Sequence, residues 1–165
     1  MAEATGSEGG SVITVYADGG CWPNPGIGGW GVVIHQGDEV SELFGGELES
    51  TNNRMELMGP ISVFELLPAG SKITIYCDSQ YVVLGITQWI KGWKAKGWKT
   101  SGRKPVANRE LWERLDAAHQ RHAVQWNWIR GHTGIVGNER ADELSRRGAE
   151  QVCGHRIDFA ELATA

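Results

Sequence analysis

The sequence predicts an α/β domain: a mixed five-stranded sheet, antiparallel over its first three strands and parallel over the remainder, with helices on both faces and a basic protruding arm. Three observations predict it. Runs of β-branched and aromatic residues broken by glycine turns fill the first third, strands alternate with helix-period segments after residue 70, and lysines crowd one stretch between two helices. In chain order, Val12-Ile13-Thr14-Val15-Tyr16 is a strand ending at a tight turn over Asp18-Gly19-Gly20. Gly28 to His35 and Val40 to Leu48 are strands joined by the turn Gln36-Gly37-Asp38, which makes the first three an antiparallel meander. From Thr51 the spacing becomes helical, with Met55, Met58, Ile61, Val63 and Leu66 apolar, until Pro68-Ala69-Gly70 closes the helix. Gly59-Pro60 lies inside it. A proline there cannot donate to the Glu56 carbonyl, and an interior proline costs about 3 kcal/mol, so a kink or loosened turn is expected just after Glu56. Lys72 to Cys77 is a strand, Tyr81 to Ile90 a helix, and the lysine-rich arm follows. Asn108 to His119 is a helix with Leu111, Leu115 and Ala118 on one side, and Val124 to Ile129 alternates as a strand. Gly131 to Gly137 is a loop, after which Asn138 caps a last helix running to about Gly148. Strands that alternate with helices pair in parallel through crossovers.

With 165 residues, 41% of them hydrophobic, the chain holds one compact domain with a sizeable core and is neither disordered nor collagen-like. No apolar run approaches the roughly 20 residues of a membrane span. Residues 1–11 have no basic start or apolar stretch and form a flexible leader, so the expected location is cytoplasmic. Residues 12–149 form the domain, and residues 150–165 a tail whose Val152, Ile157 and Phe159 either pack on the body or dock a partner. Cys21, Cys77 and Cys153 are odd in number and lack C-x-x-C spacing, which excludes a disulfide framework and a zinc ribbon. The net charge of -4 would argue against a nucleic-acid partner if charge were evenly spread. It is not. Between Lys91 and Arg114 eight cations face only Glu110 and Glu113, so this stretch carries +6 and the rest of the chain -10. Trp89, Trp93, Trp98 and Trp112 interleave planar faces with those cations, the combination that grips phosphate backbones and stacks on sugars or bases. The plainer alternative is a solvated loop tied to the body by Trp98 and Trp112, with Trp112 in the core.

Two strands end nearly alike, Thr14-Val15-Tyr16-Ala17-Asp18 and Thr74-Ile75-Tyr76-Cys77-Asp78. If they are parallel neighbours, both carboxylates emerge at the carboxyl edge of the sheet, where open α/β folds bind ligands. Repulsion between them then raises their pKa values or demands a divalent cation. Either aspartate alone reads equally well as a turn residue; the matched pair weakens that alternative. Glu56 and Asp142 both lie early in helices, where an acid is favourable by about 0.3–1 kcal/mol, and spacing does not decide between that role and an inward-facing ligand.

The ordered stretches Asp18-Gly19-Gly20-Cys21, Asn24-Pro25-Gly26, Thr51-Asn52-Asn53-Arg54-Met55-Glu56-Leu57-Met58, Asp78-Ser79-Gln80-Tyr81, Gly85 to Ile90, Gly97-Trp98-Lys99-Thr100, Gly131-His132 and Asn138 to Leu144 closely resemble bacterial ribonuclease H of type 1, over roughly residues 12–149. The resemblance implies a ribonuclease H-like fold and an endonuclease that hydrolyses the RNA strand of RNA/DNA hybrids, leaving 5'-phosphate and 3'-hydroxyl ends, in replication and at R-loops. It implies four metal-binding catalytic carboxylates, Asp18, Glu56, Asp78 and Asp142, holding two Mg²⁺ for which Mn²⁺ can substitute, with Asp18 bridging the ions. His132 takes proton transfer or product release, a task suited to a histidine on a glycine loop. For the RNA strand it implies contacts from backbone near Gly19 and Cys21, from Asn52, Asn53 and Gln80, and for the DNA strand a phosphate pocket at Thr51 and Asn24 with a channel beside Trp89 and Trp93. Lys94, Lys96, Trp98, Lys99 and Asn138 complete the expected substrate contacts of a monomer that needs no obligate partner and no membrane.

The chain departs from the family pattern at Ala17 and Gly20, which stand where hydroxyl side chains are usual. Two rival readings use the same residues. A related metal nuclease acting on DNA would not need contacts to ribose 2'-hydroxyls, and a silent hybrid-binding module would keep the arm but not four carboxylates and His132.

Overall fold

A computed structural model of the protein describes residues 11–163; the expected leader falls almost wholly outside them. Its five strands are β1 (Val12–Trp22), β2 (Gly26–Gln36), β3 (Glu39–Ser50), β4 (Lys72–Cys77) and β5 (Ala123–Trp128). They form one sheet in the order β3-β2-β1-β4-β5, with β1–β2 and β2–β3 antiparallel and β1–β4 and β4–β5 parallel. The expected mixed topology is therefore present.

The helices are α1 (Asn52–Leu66), α2 (Gln80–Leu84), α3 (Ile90–Ala95), α4 (Arg109–His119), α5 (Val136–Cys153) and α6 (Phe159–Ala163), with a π-helical turn over Gly85–Trp89 joining α2 to α3. Alternation along the strands divides the apolar residues between two faces. Ile13, Val15, Ala17, Val32, Ile34, Ile73 and Ile75 pack with α1 and α4, and Trp112 of α4 is fully buried there. Val33, with Tyr16 beside it, faces Ala141 and Leu144 of α5 on the other side. Glycine sets the distance on that second face: a Cβ at Gly29 would lie 1.9 Å from the Ser145 carbonyl oxygen, so only a bare backbone lets α5 sit this close.

Three expectations are corrected. Asp18-Gly19-Gly20 is not a turn: β1 runs through it to Trp22, paired to Ile27 of β2, because ladder hydrogen bonds outweigh the local turn preference of an Asp-Gly-Gly triplet. The helix α1 runs through Gly59-Pro60 as one element, and that side of it is buried on the sheet: a Cβ on Gly59 would stand 3.3 Å from that of Ala17. Asn138 does not cap α5. Ile135 precedes the helix and Asn138 is its third residue, only 3% exposed, with its side-chain nitrogen enclosed and without a hydrogen-bond partner among the described residues. Finally α5 extends past Gly148 to Cys153 and ends at Gly154, which is left-handed (φ 82°) as helix-terminating glycines commonly are. The tail then packs on the body: the Ile157 N–H donates to Glu150 (2.9 Å) and Phe159 meets Trp22 edge to face at 4.8 Å.

Candidate active site

The ladder between β1 and β4 ends at Ala17 opposite Cys77, so Asp18 and Asp78 leave neighbouring parallel strands at equivalent places. The matched strand ends do bring both carboxylates to one edge. The third acid arrives from α1, whose N-terminus is fixed by Thr51 accepting from the Arg54 N–H (3.3 Å). Gly19 makes its approach possible: a Cβ there would lie 2.6 Å from the Glu56 backbone nitrogen. One carboxylate oxygen from each of Asp18, Glu56 and Asp78 lies within 4.8 Å of the others.

Burial and crowding leave these acids short of compensation. Asp18 is 7% exposed, and its carboxyl is raised well above the usual range, first by burial and then by the negative charges of Asp78 and Asp142; the 2.8 Å hydrogen bond from the Gly19 N–H opposes this. Glu56 is raised as well, by burial, then by Asp18 and Asp78. The two carboxyl groups adjoin each other, and a second negative charge so close is disfavoured unless a cation offsets it. A compact trio of oxygens that resists full ionisation fits a hard divalent cation, which takes carboxylate oxygens and needs no sulfur.

His132 and Asp142 complete the walls of the same cleft, which encloses about 490 Å³. The loop carrying His132 passes close to Asp78, since a Cβ on Gly131 would stand 2.4 Å from an Asp78 oxygen, and His132 is itself left-handed (φ 58°) and exposed. The Trp128 indole N–H donates to the Asp78 carbonyl (3.0 Å), tying the end of β5 to the acid. Asp142 does not belong to the close trio; its Oδ2 is paired with Arg146 at 2.9 Å. Arg146, Trp22, Phe159 and Ala160 also line the cleft, and sequence reasoning missed all four in this role. Arg146 was legible as the residue one turn after Asp142, whereas Phe159 carried no local signal.

Of the expected substrate contacts, Gly19 lines the cleft, and Cys21 follows it with its side chain buried, leaving backbone as what it can offer. Asn52, Asn53 and Gln80 are exposed at the starts of α1 and α2. Asn24 accepts from the Asn52 N–H (3.1 Å), which brings it to Thr51; Thr51 and Arg54 line a second depression of about 370 Å³ with Glu49. Asn138 is the exception, because its enclosed amide has no surface to offer a ligand. Trp89 is 39% exposed, whereas Trp93 and Trp98 pack partly against the core, with Trp93 5.1 Å from Trp112 and Arg109 over Trp98 at 5.4 Å. Lys94 is paired with Asp116, while Lys96 and Lys99 line a third depression with Arg103. The arm is thus both a charged surface and a tryptophan-anchored one.

The RNase H family model matches residues 10–150. Among curated relatives, a ribonuclease H of Caulobacter sp. (strain K31) is 54% identical over 144 residues, covering 87% of this chain and 94% of its own. One from Acidovorax sp. (strain JS42) is 55% identical, covering 86% and 97%. Among solved structures, LC9-RNase H1, a type 1 RNase H with the type 2 active-site motif, superposes with a TM-score of 0.77 at 30% identity, covering 94% of this chain and 82% of that one. LC11-RNase H1, solved in complex with an RNA/DNA hybrid, shares the fold at a TM-score of 0.63 and 23% identity, covering 86% and 99%. With the acids gathered at one sheet edge and relatives matched over most of their length, the chain belongs to the RNase H family of enzymes.

Proposed function

We propose that this enzyme hydrolyses the RNA strand of RNA/DNA hybrids at the Asp18–Glu56–Asp78 cluster, with Asp142 and His132 on the same cleft, leaving 5'-phosphate and 3'-hydroxyl ends. The observation that carries the reading is the trio of carboxylate oxygens within 4.8 Å, two of them on acids that burial keeps from ionising freely. Asp18, Glu56, Asp78 and Asp142 would hold two Mg²⁺, or Mn²⁺ in their place. When bound, such ions polarise the phosphate, lower the pKa of a water and stabilise the leaving oxygen. The chain's own residues do the rest. His132, exposed at the mouth of the cleft, takes or passes the proton of the attacking side and lets product leave. Backbone at Gly19 and Cys21, with the exposed amides of Asn52, Asn53 and Gln80, reads the ribose 2'-hydroxyl, which both donates and accepts. Thr51, Asn24 and Arg54 take a phosphate of the DNA strand, Trp89 and Trp93 border its path, and Lys96 and Lys99 give sequence-independent grip through phosphates. Removal of RNA from hybrids in replication and at R-loops, by a monomer in the cytoplasm, is the setting such chemistry serves. Among the described residues no helix is long and apolar enough to cross a membrane.

Incubating labelled RNA/DNA hybrid, duplex DNA and duplex RNA with Mg²⁺ tests this. Only the RNA of the hybrid should be cut, and Asp78→Asn should lower the rate by more than about a hundredfold, beyond what loss of an outer-shell group does. Comparable cutting of duplex DNA, or an active Asp78→Asn protein, would overturn the reading.

A further inference from the structure

Asp142 is the one acid of the cleft that does not join the close oxygen group, and its partner lies on its own helix. Arg146, one turn later on α5, pairs its Nη1 with Asp142 Oδ2 at 2.9 Å, and the two side chains are 38% and 19% exposed. Arg146 is not a loose surface cation. Its guanidinium lies over the Phe159 ring, 5.9 Å from the centroid, and Phe159 is wedged edge to face on Trp22 at 4.8 Å. Trp22 in turn folds back along β1: a Cβ on Gly20 would lie 2.7 Å from its indole, so the departure at Gly20 is what gives that ring its place. A chain of contacts therefore runs from the C-terminal helix α6 through Arg146 to Asp142, and every member except Gly20 lines the cleft.

We propose that Arg146, braced by Phe159, is a positioning residue that holds Asp142 apart from the Asp18–Glu56–Asp78 group and thereby weakens uptake of the cation that Asp142 serves. The inference rests on the metal-binding reading above. A guanidinium already on the carboxylate occupies one of its oxygens and adds a positive charge that an incoming divalent cation must oppose. The C-terminal segment, outside the stretch that the family model matches, thus reaches into the site by fixing where that charge stands. The cation that binds at the trio meets no such competitor, so the two uptakes separate in strength.

Titration calorimetry of the full-length protein with manganese(II) chloride, without nucleic acid, tests it. Asp142→Asn identifies the uptake that depends on Asp142. Arg146→Gln should strengthen that uptake by about two- to fivefold, the range of a partly exposed ion pair, and leave the Asp142-independent uptake unchanged. Arg146→Lys should stay near wild type. Phe159→Ala should shift the same uptake in the same direction by less, and adding it to Arg146→Gln should change nothing further, because the two act through one contact chain. If wild type takes up manganese only at the trio and Arg146→Gln gains an Asp142-dependent uptake, the proposal stands equally. An Arg146→Gln protein whose Asp142-dependent uptake is unchanged or weaker overturns it, as does a full additional effect of Phe159→Ala in the double variant. Failure of the underlying reading looks different: no variant would then show any uptake that Asp18→Asn removes.

Discussion

Asp18 illustrates how a residue proposed to serve the reaction can weaken the fold. In the unfolded chain its carboxyl and that of Glu56 ionise near the ordinary values of about 3.9 and 4.3, whereas in the fold both hold their protons to higher pH. The folded state then binds more protons than the unfolded one, so stability falls as pH rises through the interval above about 4 and stays low beyond the folded-state values. Asp18→Asn removes the ionisation and should raise the Tm of the metal-free protein at pH 8 by about 3 °C or more, with a smaller gain at pH 5. Melting curves in a chelator at the two pH values check this, and Mg²⁺ should recover part of the difference for wild type but not for the variant. The pairing of Asp18 with Asp78 was legible from two near-identical strand ends, because period-two alternation fixes where a strand's last side chain emerges. The separation of Asp142 from the others was not, since a helical residue's neighbours across a cleft depend on tertiary packing that spacing does not encode.

Among the elements, the existence of each strand and main helix was legible, whereas where β1 and α5 end, and the break after Tyr81, were not. The meander, α1, β4, α4 and β5 follow from apolar spacing. The π-helical turn over Gly85–Trp89 escaped because Tyr81 to Ile90 keeps a helical pattern throughout; its cause is tertiary, with Gly85 so close to Trp112 that a Cβ would stand 2.0 Å from the ring. The glycines of β2 likewise read as weak strand formers, yet they are what lets α5 lie on the sheet. Gly29→Ala should therefore cost about 1–3 kcal/mol or more, since the atom met is rigid helix backbone and not a movable side-chain end. Urea unfolding with an unchanged m-value and a lower midpoint is the expected result. Loss of catalytic rate without loss of stability would show instead that α5 shifts to make room.

At the scale of the whole molecule, charge is segregated. Salt bridges engage Lys94 and Arg114 with Asp116 and Glu65 outside the basic stretch and Arg109 with Glu113 within it, so the cations that remain at the arm's tip are the ones placed to meet a polyanion. Replacing both Lys96 and Lys99 by alanine should reduce the slope of log affinity against log salt by about 1–2 for hybrid binding while leaving the turnover of bound substrate near wild type. Affinity measured over a series of salt concentrations decides it. That division was visible in the sequence as a +6 stretch on a -10 remainder, but which cations are already paired was not, because the partners Glu65 and Asp116 lie elsewhere in the chain or on another element. The four acids of the cleft come from four separate elements, β1, α1, the end of β4 and α5, and the last of them enters only at residue 142 of 165. A nascent or partly unfolded chain therefore lacks the assembled cleft, and on the proposed reading the capacity to cut nucleic acid arises only once α5 has docked on the sheet.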